Sequence, residues 1–349
     1  MKPPSPEDPE AYEYYDYNSS YEFYDSTDES PDPHQREALH VVSIVIYSVA
    51  FVLGTVGNGI AIWVIARRLR RSLKPFWLLN LALSDLLFVL TLPLSIDYIC
   101  RGFDWRYGKA LCKATTFVCH LNMFASVFFL TLITVDRCCT VTRSSGVKPG
   151  CRVGLLVGVW LLAVGLSIPG LYYRDMVTVR GKEVCYTNYH SSDGTSAMHR
   201  HAIQVYMRLC LGFLLPLCTM VVCYSVMGAK VRHRAVVRPS SFGRIVVTLV
   251  VAFFVCWAPF HVFSVLELQV HTSAALHSAL RVGMPLSTSL AFFNSCLNPI
   301  FYVLMSREAW TPLCRGLGAQ VKRTLLGAEL LSLTTSQATV DTQSATSPM

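Results

Sequence analysis

Residues 79–94 read LNLALSDLLFVLTLPL, a stretch that is apolar almost throughout and carries one ionisable side chain, Asp85, near its centre. A carboxylate in such surroundings is costly to bury unless its neighbours compensate it. The run belongs either to the interior of a large helical protein or to a helix that crosses a membrane. The rest of the chain decides. Seven such runs occur, at about 41–66, 76–99, 111–135, 153–173, 202–229, 245–268 and 278–305. Each is near or above the roughly 20 residues an α-helix needs to cross a hydrocarbon layer. Helices of a soluble core carry a polar stripe, and most of these runs do not. The seventh is the most interrupted, by Arg281, Asn294 and Asn298. With 52% hydrophobic and 15% charged residues in 349, the expected fold is all-α: a seven-transmembrane helix bundle over residues 39–305.

Charge gives the orientation. Arg67, Arg68, Arg70, Arg71 and Lys74 follow the first run; Arg143, Lys148 and Arg152 follow the third; Lys230, Arg232, Arg234, Arg238 and Arg244 lie between the fifth and sixth. Arg307, Arg315, Lys322 and Arg323 follow the seventh. Basic loops stay in the cytoplasm, so the N-terminus is expected outside, with the first helix as its anchor and no cleavable signal peptide. The formal net charge of +8 hides an asymmetry. Residues 1–37 hold eleven of the 22 acids against Lys2 and Arg36, a net of −9. The basic remainder reflects the inner membrane face rather than nucleic acid. The acidic segment, read as a disordered tail over residues 1–38, is either solvated disorder or an electrostatic lure for a basic partner. Asn18-Ser19-Ser20 within it is an N-glycosylation sequon.

Beyond the seventh run, residues 306–320 mix apolar and basic side chains, as a short amphipathic eighth helix on the inner surface would. Cys314 lies there as a weak signal for palmitoylation. Residues 321–349 are hydroxyl-rich and read as a disordered tail, a phosphorylation substrate or merely a solvated end. Most of the thirteen cysteines lie in apolar runs, where thiols are small fillers. Cys112, opening the third helix, and Cys185, between the fourth and fifth, both face the oxidising side, so a disulfide between them is expected. Pro93, Pro169, Pro216, Pro259 and Pro299 each remove a backbone hydrogen bond from a helix and bend it.

The deep polar residues are few: Asn58, Asp85, Asn122, Ser126, Asn294, Ser295 and Asn298. Asn122 and Ser126 stand one turn apart and share a face. If all of these meet, carboxylate and hydroxyl oxygens suit a small hard cation such as sodium. The alternative is a neutral, protonated Asp85 in an ordinary polar network. Arg208 precedes Pro216 by eight residues, ~12 Å along a helix, in an otherwise apolar stretch. Its guanidinium needs an anion, supplied either by the C-terminal carboxylate of a ligand or by Glu267. Arg174, in the loop after the fourth helix, is a second candidate anion contact unless Asp175 neutralises it.

Rival classes fail on single residues. A retinal protein needs a lysine in the seventh helix, and no Lys lies between Lys230 and Lys322. An intramembrane hydrolase needs paired carboxylates or HExxH, and Asp85 has no deep acidic companion. Paired halves with broken helices, the mark of many transporters, are not evident. No enzyme activity is expected.

Gly57-Asn58, LALSD (Leu81–Asp85), Asp136-Arg137-Cys138, Trp160, Pro216 with Tyr224, CWAP (Cys256–Pro259) and NPIFY (Asn298–Tyr302) occur in order, one set per helix. Together they resemble the rhodopsin-like G protein-coupled receptors over roughly residues 40–318. That resemblance implies an allosteric sodium site at Asp85, here with Asn122, Ser126, Asn294 and Ser295, emptied on activation. It implies that Arg137 is restrained by Asp136 at rest and meets the G protein when the sixth helix swings out. Trp257, with Pro259 a turn-break after it, lies beneath the ligand; Tyr224 and Tyr302 stabilise the opened state, and Asn298-Pro299 belong to the same motif.

LNMFASVFFLTLITVDRC, GLYYRD, VCYTNY, VCWAPFHVFSVLEL and PLSTSLAFFNSCLNPIFYVL are similar to the chemoattractant peptide receptors, most of all the chemerin receptors. Formyl-peptide receptors carry an acid and paired arginines where this chain has His120, Gln204 and Arg208; Cys119 stands where amine receptors have aspartate. The second inner loop departs from the family, with Ser144 at a position usually proline. The resemblance implies a plasma-membrane receptor for a chemotactic peptide or small secreted protein, bound through Arg208, Arg174, Glu267, His120 and Gln204. Its expected partners are a heterotrimeric G protein of the inhibitory class, arrestin and receptor kinases. Tyr12, Tyr14, Tyr15, Tyr17, Tyr21 and Tyr24, beside acids, stand where this group is tyrosine-sulfated. The alternatives are a scavenging receptor with weak coupling, or a receptor of the formyl-peptide or complement-fragment type.

Overall fold

Apolar runs of this length form helices because every backbone N–H and C=O must be satisfied within the segment once water is excluded. The computed structural model describes residues 33–69, 76–143, 146–189, 194–232, 241–269 and 273–305. It contains α1 (Pro33–Leu69), α2 (Phe76–Val89, continued as Leu92–Cys100), α3 (Gly108–Arg143) and α4 (Pro149–Tyr172). An antiparallel hairpin follows, β1 (Arg174–Val179) and β2 (Lys182–Thr187), in which Met176 faces Cys185. Then come α5 (Gly194–Leu209, a π-helical turn Cys210–Leu214, and Leu215–Arg232), α6 (Ser241–Glu267) and α7 (Ala274–Met305). Six of these are long and apolar enough to cross a membrane by length and composition. α7, 32 residues interrupted by Arg281, Pro285 and Pro299, completes the seven expected from the apolar runs.

The helices overrun the apolar runs that mark them. α1 begins at Pro33, inside the segment read from sequence as tail, and α3 continues eight residues past the apolar run that ends near Val135. Polar residues extend a helix once it leaves hydrocarbon, so hydropathy under-reads the ends. The hairpin has no hydropathy signature at all. Its turn places Arg180 and Gly181 at positive φ, 50° and 81°.

The prolines act differently from one another. Pro169, Pro259 and Pro299 lie within continuous helices, whereas α2 breaks at Leu90–Thr91 just ahead of Pro93, which starts its second part. Ahead of Pro216 the ladder widens into the π-helical turn, a local irregularity that shifts side-chain directions within α5.

α3 is the axis of the bundle, packed on α2, α4, α5, α6 and β1. Over their most apolar windows 56% of α3 is buried but only 11% of α4, which turns Val157, Leu161, Leu162 and Ile168 outward to lipid. The disulfide Cys112–Cys185, with Cα atoms 5.9 Å apart, ties β2 to the first turns of α3, as the sequence implies. Trp105 and Tyr98 pack against it. The helical unit described here ends at Phe301.

Candidate functional site

Two polar sites interrupt this apolar framework. In the middle of the bundle Asp85 is wholly buried. Its Oδ1 accepts from Asn122 Nδ2 at 2.9 Å and its Oδ2 from Asn298 Nδ2 at 2.6 Å. Asn122 Nδ2 also faces Ser84 Oγ and Ser126 Oγ, at 3.2 and 3.3 Å, while its Oδ1 accepts the Ser295 hydroxyl at 3.1 Å. Asn58 Nδ2 donates to the carbonyls of Ser295 and Gly54 at 2.9 and 3.0 Å, tying α1 to α7. That approach depends on Gly57: a methyl there would stand 2.7 Å from Pro299 Cγ.

Side chains of α2, α3 and α7 thus meet around one carboxylate, and Asn58 of α1 ties onto the same stretch of α7. Asn58 Oδ1 and Asn294 Oδ1 are buried carbonyl oxygens with no hydrogen-bond donor among the described residues. The Asp85 carboxylate and the hydroxyls of Ser126 and Ser295, gathered around Asn122, are hard oxygens of the kind that fits a small cation. Asn298, read from sequence as part of the NPIFY motif, makes the shortest bond to Asp85. Ser84, adjacent in sequence, was not foreseen; its rotamer toward Asn122 depends on how α2 rotates against α3.

The second site lies at the hairpin end of the bundle. A cavity of about 80 Å³ is bounded by His120, Gly170, Arg174, Tyr189, Gln204 and Arg208. Four of the five residues expected to meet a ligand therefore share one cavity wall. Arg208 Nη1 lies 3.3 Å from His120 Nε2, its Nε donates to the Gln204 carbonyl at 3.3 Å, and its guanidinium stands 5.8 Å over the Phe260 ring. Arg174 donates to the Cys185 carbonyl and to Thr187 Oγ1, each at 2.9 Å. Burial draws its pKa below the ordinary arginine value.

Neither guanidinium has a carboxylate within 4.0 Å among the described residues. Asp175 turns away from Arg174 and pairs with Lys109 at 2.6 Å. Burial raises the Asp175 pKa, but the bonds from Lys109 and from the Met176 amide outweigh it and hold the carboxyl below its usual range. Glu267, the fifth expected residue, lies outside the cavity lining, with its carboxylate 3.9 Å from His201 Nε2. The internal Arg208–Glu267 pair left open by the sequence is not formed. Tyr189, stacked on His201 at 5.1 Å, completes the wall, and only the folded hairpin reveals it.

From this cavity an aromatic path runs inward. Phe260, beneath Arg208, meets Trp257 edge-on at 5.6 Å, and Trp257 stacks on Phe253 at 5.9 Å. Trp257 is buried, with its indole N–H unbonded among the described residues. Towards the opposite end the Tyr224 hydroxyl is buried beside Thr134 and Arg137. Asp136 Oδ1 accepts the Val147 amide at 2.6 Å, which ties the loop after α3 to the residue before Arg137. Asn18, the six tyrosines, Ser144, residues 306–349 and the Tyr302 side chain lie outside what is described.

A buried carboxylate on α2 bonded from α3 and α7, a disulfide-tied hairpin over an end cavity and seven spanning helices define a class. The model of the 7 transmembrane receptor (rhodopsin family) matches residues 57–302. The chain belongs to that family; it is a multi-pass membrane receptor and not an enzyme. It is 40% identical over 299 residues to chemerin-like receptor 2 of Homo sapiens, covering 83% of this chain and 84% of that one. It is 39% identical over 314 residues to the Rattus norvegicus chemerin-like receptor 2, covering 88% of each. Chemerin-like receptor 1 of Mus musculus is 33% identical over 296 residues, with 80% and 79% covered.

Proposed function

We propose that this chain is a plasma-membrane receptor, N-terminus outside, for a chemerin-like secreted peptide or small protein. The ligand's C-terminal carboxylate docks on Arg208, with Arg174 as a second contact. It signals through a heterotrimeric G protein of the inhibitory class and through arrestin, under the control of receptor kinases. The observation that carries this reading is the pair of guanidiniums on one cavity wall with no carboxylate within 4.0 Å of either among the described residues. A desolvated guanidinium fork is a strong bidentate site for carboxylate. The similarity to the chemerin-like receptors supports the choice of ligand class.

A bound carboxylate would pull on Arg208, and Phe260 and Trp257 are the side chains through which that pull reaches the middle of α6. A sodium ion at Asp85, held with Ser126, Ser295, Asn122 and Asn294, opposes the active arrangement of α7. The acidic tail, deepened by tyrosine sulfation, attracts the basic surface of a protein ligand and speeds its encounter.

The test is guanine-nucleotide exchange in membranes bearing the full chain, alongside arrestin recruitment in cells, with the C-terminal peptide of chemerin as agonist. Exchange on inhibitory-class G protein is the expected outcome. Binding with arrestin recruitment but no exchange would make the chain a scavenging receptor. No binding would remove chemerin from consideration and leave other chemoattractant peptides to be screened.

A further inference from the structure

We infer that His120 is the positioning residue of the anion site: a neutral acceptor that aims the Arg208 guanidinium into the cavity without discharging it. This inference rests on the reading of Arg208 as the carboxylate anchor. A guanidinium has five N–H donors and no acceptor. Its contact with His120 Nε2 at 3.3 Å is therefore attractive only when that nitrogen carries a lone pair. The ring proton then sits on Nδ1 and the imidazole is uncharged.

The other restraints on Arg208 are of the same kind. A backbone carbonyl takes Nε, and an aromatic face supports the plane. Three neutral contacts fix the direction of the fork and leave Nη2 and the second Nη1 hydrogen to a ligand. An acid in place of His120 would hold the arginine as firmly but would satisfy its charge. A cation would repel it. A neutral acceptor is the side chain that orients the fork and leaves its charge available.

His120 is itself seated by backbone. A methyl on Gly170 of α4 would stand 2.7 Å from His120 Nδ1, so the ring occupies its place because α4 carries no side chain there. Both residues line the cavity. The order of construction runs from Gly170 to the ring and from the ring to the fork.

The experiment uses the full chain in cell membranes and the C-terminal peptide of chemerin in free-acid and amide forms. The readout is the ratio of the two affinities, with surface expression measured alongside. The unaltered receptor should favour the acid form at least ~30-fold, the lower end for a lost desolvated charge contact. His120→Phe keeps a ring but removes the acceptor, and should bring the ratio close to one. His120→Gln supplies an amide oxygen in its place and should restore most of the ratio. Gly170→Ala, which displaces the ring, should lower the ratio in the unaltered receptor and leave it unchanged in His120→Phe; it also serves if His120→Phe fails to reach the surface. Equal losses for acid and amide, with the ratio preserved, would mean that His120 only fills space and would overturn the inference while leaving the Arg208 anchor standing. A ratio of one in the unaltered receptor would overturn the anchor, and the inference with it.

Discussion

The two polar sites of this receptor are buried in opposite ways. Around Asp85 one negative charge is met by amides from α3 and α7, which hydroxyls of α2, α3 and α7 hold in place, all belonging to the chain. At the hairpin end, two positive charges face a cavity and, among the described residues, hydrogen-bond only to neutral groups. Burying a charge is tolerable when it is paired or hydrogen-bonded, and a charge left unpaired destabilises the fold. The first site is therefore nearly self-sufficient and lacks at most a small cation. On the proposed function, the second is completed by an anion of the ligand. On the same reading the difference separates the partners: an ion at the core would tune the receptor, and an anion from the ligand would switch it.

The comparison breaks most visibly at Arg208. Arg208→Gln should weaken a free-acid C-terminal peptide by about 2–5 kcal/mol, as for loss of a buried charge contact, at normal surface expression. Radioligand displacement on intact cells measures it. A smaller effect is expected at the core site. Raising sodium should weaken agonist binding through a coupling of about 1–3 kcal/mol, and Asp85→Asn should make affinity independent of sodium. A sodium response that survives in Asp85→Asn would place the ion elsewhere. Deleting residues 1–30 acts only through long-range charge. It should slow association of a protein ligand roughly tenfold, less at high salt, and barely change binding of the short C-terminal peptide. Equal losses for the two ligands would remove the tail's separate role. Smallest of all is Glu267→Gln. Because the Glu267 carboxylate makes no ion pair with Arg208 within 4.0 Å and lies outside the cavity lining, peptide affinity should change by less than about 0.5 kcal/mol, the range of substitutions outside a contact network.

How much of this was legible in the sequence differs between the two sites for a physical reason. The seven helices follow from runs of apolar residues long enough to span a bilayer, and that signal is local. So is the i, i+4 pairing of Asn122 with Ser126. The gathering of Asp85 with Ser295 and Asn298 could be expected, because an intramembrane acid needs polar company and the chain offers few candidates. The hairpin could not be read, because it sits outside hydrocarbon and its strands are six residues each, too short for a periodic pattern. Arg174, Thr187 and Tyr189 become parts of one wall only once that hairpin folds. The fate of Arg208 was undecidable from spacing, since Glu267 lies 59 positions away and only helix rotation tells whether the two meet. Gly170 and His120 are 50 positions apart, and their contact is a property of how closely α3 and α4 approach.

The most direct test of the incomplete-site reading is a double-mutant cycle between receptor and ligand. Affinities of the free-acid and amidated C-terminal peptides are measured on the unaltered receptor and on Arg208→Gln. Direct pairing predicts that amidation and the substitution each cost about 2–5 kcal/mol, and that the two together cost far less than their sum. Additive losses, at normal surface expression, would contradict docking of the ligand carboxylate on Arg208.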